Sequence, residues 1–270
     1  MITAEIFFNI TNEVKNLIDK ALNQLFINYP EDYVLFLASG EYNELIAANK
    51  TLNLSPYTIS GHNLDDYYDY TRQHFLCDFL NTYYSFADKQ ELQDDEYRIN
   101  IELLIYTHIW EAKSFLKRLT RLANLLCGNE YDWKIEVPQI AKSNFIKKKI
   151  IDKFNDAHYL LGNMITDNYN TDLRNAIAHS DYQIDQRMIR YKSKIALLNI
   201  PFDDWSINFG YSICLSYYFS QIVKERRMRI IQDWGKNCFT IKMPFSDGTI
   251  KHTCIQYEEN RDDFGFIYKI

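Results

Sequence analysis

The segment Asp172-Leu173-Arg174-Asn175-Ala176-Ile177-Ala178-His179-Ser180-Asp181-Tyr182 holds the residues best suited to chemistry. Four residues separate Arg174 from His179. Arginine stays charged, and its planar fork fits phosphate oxygens. Histidine titrates near neutral pH and passes protons in either direction. Asn175 follows the arginine and precedes His179 by four, so Asn175 and His179 share a helix face. Arg174 and His179 do not, because five residues of straight helix turn a side chain by about 140°. They converge only if the helix ends near His179, or if a second copy brings its own pair across a two-fold axis. The plainer reading is a helix end, with Asp172 and Asp181 as ion-pair partners. The bare pair decides nothing, since roughly one chain in four of this composition carries one by chance.

Other signatures are missing from the sequence. It has no Gly-rich phosphate loop, no His-Glu-x-x-His, no Gly-x-Ser-x-Gly and no EF-hand loop. None of the six histidines pairs with a second His or a Cys at metal-ligand spacing, so neither a metal nor a cofactor is expected. The five cysteines include no Cys-x-x-Cys and read as reduced thiols.

The chain of 270 residues carries a net charge of −6. That disfavours a bulk nucleic-acid binder, which is usually basic. The charge is uneven, at −9 over residues 1–135 and +3 over 136–270. Any polyanion would meet the C-terminal half. Its basic side chains include Lys147, Lys148, Lys149 and Lys153, and the run Lys224–Arg229 with Arg226 and Arg227. These read first as solvated faces, and as RNA contacts if an RNA enzyme is at hand. No apolar stretch approaches the length that spans a membrane. The start shows no basic segment followed by an apolar run, so a cytoplasmic location is expected.

The elements that must position the segment are mainly α-helical. A helix is expected over 11–27, capped by Thr11 or Asn12, and another over 63–86. Tyr33–Ala38 is strand or buried helix turn. Tyr67, Tyr68, Tyr70, Tyr83 and Tyr84 sit among acids, which suits core packing or a protein interface better than base stacking. Apolar spacing predicts one long helix over 97–127, stopped at Gly128, and a second over 139–166. The motif lies on a short helix over 171–179 that Thr171 can cap. A third long helix spans 204–231. Small hairpins follow the motif, at 182–184 with 188–191, and close the chain, at 239–243 with 250–257 around Ser246-Asp247-Gly248. The expected organisation is a helical N-terminal region (1–95), a helical bundle (96–235) and a β-hairpin extension (236–270).

Over residues 97–232 the sequence resembles the HEPN superfamily. Its ribonuclease members carry Arg, four to six residues, then His, with Asn, Asp or His after the Arg. Arg174-Asn175-x-x-Ala178-His179 has that form, amid two long helices, a short motif helix and another long helix. Some members carry a Tyr two positions after the His, paired with a nucleotidyltransferase antitoxin. Here that position is Asp181 and the Tyr is one later, at Tyr182. Members also place a polar residue of the first long helix beside the motif, which puts His108 or Glu111 in reach of His179 or Arg174. On its own, His108 reads as a core group on the apolar stripe between Ile105 and Ala112.

The resemblance implies a HEPN-like bundle, a homodimer through the motif helix, and a metal-independent endoribonuclease. RNA supplies its own nucleophile, the 2′-hydroxyl. Cleavage needs a base for that proton, an acid for the 5′-oxygen and a cation for the phosphorane charge. Two Arg–His pairs suffice, with Arg174 on the phosphate, His179 moving protons and Asn175 positioning. The resemblance further implies a toxin or anti-phage effector, restrained by an antitoxin or a defence-complex protein. Two rivals remain at this point: a non-catalytic dimerisation or docking module, and a nucleotide-binding accessory.

Overall fold

In the computed structural model, residues 2–49, 55–59, 64–86, 90–92, 95–193, 195–245 and 248–267 are described, with backbone alone for 64–69. The helices are α1 (Ala4–Asn28), α2 (Pro30–Leu37), α3 (Glu44–Ala48), α4 (Leu64–Tyr83), α5 (Glu96–Glu111), α6 (Lys113–Leu126), α7 (Lys142–Phe145), α8 (Asp152–Asp156), α9 (Leu160–Asn168), α10 (Thr171–Ala178) and α11 (Phe202–Trp234). A π-helical segment, Ile146–Ile151, joins α7 to α8. The strands are β1 (Glu41–Tyr42), β2 (Tyr57–Thr58), β3 (Tyr182–Asp185), β4 (Met188–Lys192), β5 (Leu197–Pro201), β6 (Cys238–Pro244), β7 (Ile250–Glu258) and β8 (Asp263–Phe266). The chain is mainly α, with small antiparallel sheets ordered β1-β2, β3-β4-β5 and β6-β7-β8.

The first helix starts earlier than its cap signal suggested. The Thr3 hydroxyl accepts the Ile6 N–H at 3.2 Å and opens α1. Thr11 is no cap; it is buried, with its hydroxyl 3.5 Å from the Cys214 sulfur. That contact lies in the seam between α1 and α11, where Val14, Ile18 and Leu22 are fully buried. Gly210 lets the helices close, since a Cβ there would stand 3.2 Å from Ile10 Cδ1. The apolar run at Tyr33–Ala38 is the buried α2, with Pro30 at its first position.

Two long helices of the sequence reading are broken in the structure. Residues 97–127 form α5 and α6, divided at Ala112, whose ψ of 108° is extended. The apolar spacing hides this break because Ala112 is itself buried. Each half docks separately on α11: Trp110 donates to the Ser212 hydroxyl at 3.3 Å, and Phe115 meets the Phe219 ring at 6.2 Å. Residues 139–166 form α7, the π segment, α8 and α9, with a left-handed turn at His158 (φ 58°). Ile146, Ile150 and Ile151 are all buried, while Lys147, Lys148 and Lys149 are exposed. An α-helix would turn Ile146 and Ile151 about 140° apart; the wider i→i+5 winding brings them inward together. Gly128 ends α6 at φ 76°, as expected.

Both expected hairpins form, and each gains an unforeseen third strand, β5 and β8. Gln186 and Arg187 turn the first with positive φ (50° and 64°). In the second, Phe239, Ile241 and Met243 alternate inward; Ser246 and Asp247 lie outside the described residues. One apolar cluster runs from Ile2 to Phe264, so residues 1–95 and 236–270 share the core of the central helices. Of the Tyr-rich segment, Tyr84 is buried and Tyr70 exposed, and the side chains of Tyr67 and Tyr68 lie outside the described residues. Tyr84 serves a buried polar network. Its hydroxyl donates to Glu102 at 2.6 Å, Trp205 Nε1 donates to the same carboxylate at 2.9 Å, and Arg98 forms its ion pair.

Candidate active site

Asn170, not Thr171, caps α10. Its side-chain oxygen accepts the Leu173 N–H at 2.9 Å, and its Nδ2 donates to the Tyr191 hydroxyl at 2.9 Å. Its own N–H donates to the Tyr106 hydroxyl at 2.7 Å. Burial raises the Tyr106 pKa, which keeps that hydroxyl protonated. The helix is thereby pinned to α5 and β4, with Leu173, Ala176 and Ile177 buried beneath it.

The other end of α10 closes with a Schellman pair. Asp181 N–H donates to Ala176 O at 2.8 Å, and Ser180 N–H donates to Ile177 O at 3.1 Å. Ser180 occupies the left-handed position that favours glycine, at φ 58°. His179 is the residue just before it, so the helix does end at the histidine.

Arg174 is held on both sides. It donates to Asn175 Oδ1 at 2.8 Å and forms an ion pair with Glu111 Oε1. Glu111 Oε2 is ion-paired with Lys142. The carboxylate thus bridges two cations from two other helices. Side-chain exposures are 14% for Arg174, 9% for Lys142 and 32% for Glu111. Burial lowers the Lys142 pKa. Arg174 Nε is buried without an acceptor. Tyr169 ties the neighbouring elements together: its ring lies 4.8 Å from Trp110, and its hydroxyl is 3.3 Å from the Ser143 hydroxyl. Ala141, at φ 62°, turns the chain into Lys142.

His179 is exposed, and no hydrogen bond or ion pair among the described residues engages its imidazole. No hydrogen bond joins it to Arg174. Arg174 finds its acid in Glu111, and neither Asp172 nor Asp181 pairs with it. Asp181 is exposed and serves through its backbone. Tyr182 is half-buried, its hydroxyl donating to Asn100 Oδ1 on α5 at 3.2 Å. Glu111 is the polar residue of the first long helix that reaches the motif. His108 is exposed, with no hydrogen bond to the motif among the described residues, and is not a core group.

The basic candidates divide. Lys147, Lys148 and Lys149 project to solvent on the π segment just beyond Lys142. Lys153 is half-buried, 4.0 Å from Asp156. Arg226 and Arg227 are structural. Arg226 donates to Asp19 on α1 at 2.7 Å, and Arg227 donates to the Leu37 carbonyl at 3.1 Å and the Asp262 carbonyl at 3.4 Å. They fasten the end of α11 to α1, α2 and the C-terminal sheet. Lys142 is the residue that sequence reasoning missed. No spacing rule links it to Arg174, because separate helices carry them.

Among the described residues, no group of three or more His, Cys, Asp or Glu side chains is placed to hold a metal ion. No helix there is long and apolar enough to cross a membrane. Compared with protein-family models, curated proteins and solved structures, the chain matches none.

Proposed function

We propose that this protein is a metal-independent endoribonuclease whose residues 96–235 form a HEPN-like bundle. The observation that carries the reading is a clamped guanidinium on α10, Arg174, with an unengaged, exposed imidazole, His179, at the end of the same helix. A charge stabiliser gains from being fixed before the reaction; a proton carrier must be free to meet its substrate. His179 takes the 2′-hydroxyl proton, and the 2′-oxygen attacks phosphorus. The 5′-oxygen leaves with a proton, giving a 2′,3′-cyclic phosphate and a 5′-hydroxyl. Arg174 meets the phosphorane charge, and Asn175 sets the guanidinium. Two proton transfers call for two imidazoles, which a two-fold homodimer through α10 supplies. Leu104, His108 and Glu111 share one face of α5 and lead to Arg174; Leu104 is 55% exposed and suits such a contact. The exposed Lys147–Lys149 extend the positive surface for RNA. A toxin or anti-phage role in the cytoplasm, restrained by an antitoxin or defence-complex protein, belongs to the same reading.

The test is cleavage of mixed RNA in EDTA by wild type and by the Arg174→Ala/His179→Ala double variant. EDTA-resistant cleavage leaving cyclic phosphate ends, and lost in the variant, is expected. Cleavage that persists in the double variant would remove the assignment.

A further inference from the structure

The acid in the site is the one member of its cluster with a way out. Glu111 is about a third exposed, whereas Lys142 and Arg174 are nine-tenths and nearly nine-tenths buried. Both Glu111 oxygens are used, one on each cation. Arg174 is not saturated: its Nε–H is buried and has no acceptor. A carboxylate has two oxygens in one plane. A phosphate group offers tetrahedral oxygens with more lone pairs, and matches a fork and a point charge approaching from different helices. With Glu111 in place the three groups sum to +1; with it swung into water the seat is +2, and the departing carboxylate regains its hydration.

We propose that Arg174 and Lys142 form a two-cation seat for one phosphate group, which the Glu111 carboxylate fills until an anionic ligand displaces it. Lys142 is then a ligand-binding residue and Glu111 an internal stand-in that sets the threshold for binding. Naming the phosphate as an RNA phosphodiester rests on the ribonuclease reading; the seat itself does not.

The probe is inorganic phosphate against chloride at matched ionic strength, read by thermal unfolding of the full chain. Glu111→Gln keeps the shape and removes the competing charge. It is expected to bind phosphate about tenfold more tightly than wild type. Lys142→Met keeps the apolar stem and is expected to lose the phosphate-specific stabilisation, while Lys142→Arg retains it. If Lys142→Met does not fold, Glu111→Gln and Lys142→Arg carry the decision. Phosphate binding by Glu111→Gln no tighter than wild type, or unchanged in Lys142→Met, overturns the seat. A second arm uses an RNA oligonucleotide with 2′-deoxy substitution, which binds without being cut. Lys142→Met is expected to weaken it and to reduce the salt slope by about one. A phosphate seat in a chain that never cleaves RNA would refute the ribonuclease reading and keep the seat. RNA cleavage with no phosphate effect in any variant would do the reverse.

Discussion

Arg174 on α10 is ion-paired with Glu111 in the last turn of α5, and Ala112 breaks the helix immediately after that acid. The break lets α5 stop at the motif while α6 turns away to pack on its own. A continuous helix over 97–127 would carry the chain past the site. The ion pair of the arginine therefore sits at a helix end.

His179→Ala is expected to reduce RNA cleavage by about 10²–10⁴-fold, the usual worth of general acid–base catalysis. The melting temperature is expected to stay near that of wild type, because the exposed imidazole has no partner among the described residues. A rate within threefold of wild type would remove His179 from the mechanism.

Arg226→Ala is expected to act on stability and not on RNA. Its partner Asp19 lies on α1, 2.7 Å away, so the loss loosens α11 from α1. Urea denaturation should show a lower midpoint. The salt slope of RNA binding should be unchanged, whereas Lys148→Ala should make it shallower.

Ser180→Gly is expected to stabilise the fold by about 0.5–1 kcal/mol, since glycine carries no Cβ penalty at φ 58°. Denaturant unfolding checks this. A loss of stability would mean that Ser180 is held by contacts outweighing its backbone strain.

Stability is expected to fall as pH rises from about 9 toward 12. Burial pushes the Cys214 thiol up to about 12, and likewise the Tyr33 phenol. Over that window the unfolded chain releases these protons while the folded chain keeps them. The folded state then binds more protons, so raising pH favours unfolding. Below about pH 9 both states hold them and the effect is absent. Cys214→Ala should flatten the curve between the ordinary thiol value and 12; an unchanged slope would refute the assignment.

Glu102→Ala is expected to destabilise the fold, because the buried Tyr84 hydroxyl and Trp205 Nε1 would lose their shared acceptor, at about 1–3 kcal/mol for each unsatisfied group. Urea denaturation reads it. A loss under 1 kcal/mol would show that water or another acid replaces Glu102.

The sequence alone determined the helical character of the chain, the motif helix and both hairpins. Each is written in local chemistry: apolar spacing at 3.6 residues, a glycine at φ 76° after α6, and alternating residues in β6. Local signals place Arg174, Asn175 and His179 within two turns of one another, and their helical divergence follows from the same arithmetic. They do not say where a periodic segment breaks. Ala112 and the π segment keep buried residues in phase, so the breaks leave no mark on the pattern. The third strands β5 and β8 were hidden for a related reason, since β5 buries little and carries no alternation. Tertiary structure alone decided that Glu111 and Lys142 meet at Arg174, that His108 faces water, and that Arg226 and Arg227 fasten the fold. Contacts between helices depend on how their faces dock, and docking is set by the shape of the shared core, which no spacing within one segment encodes.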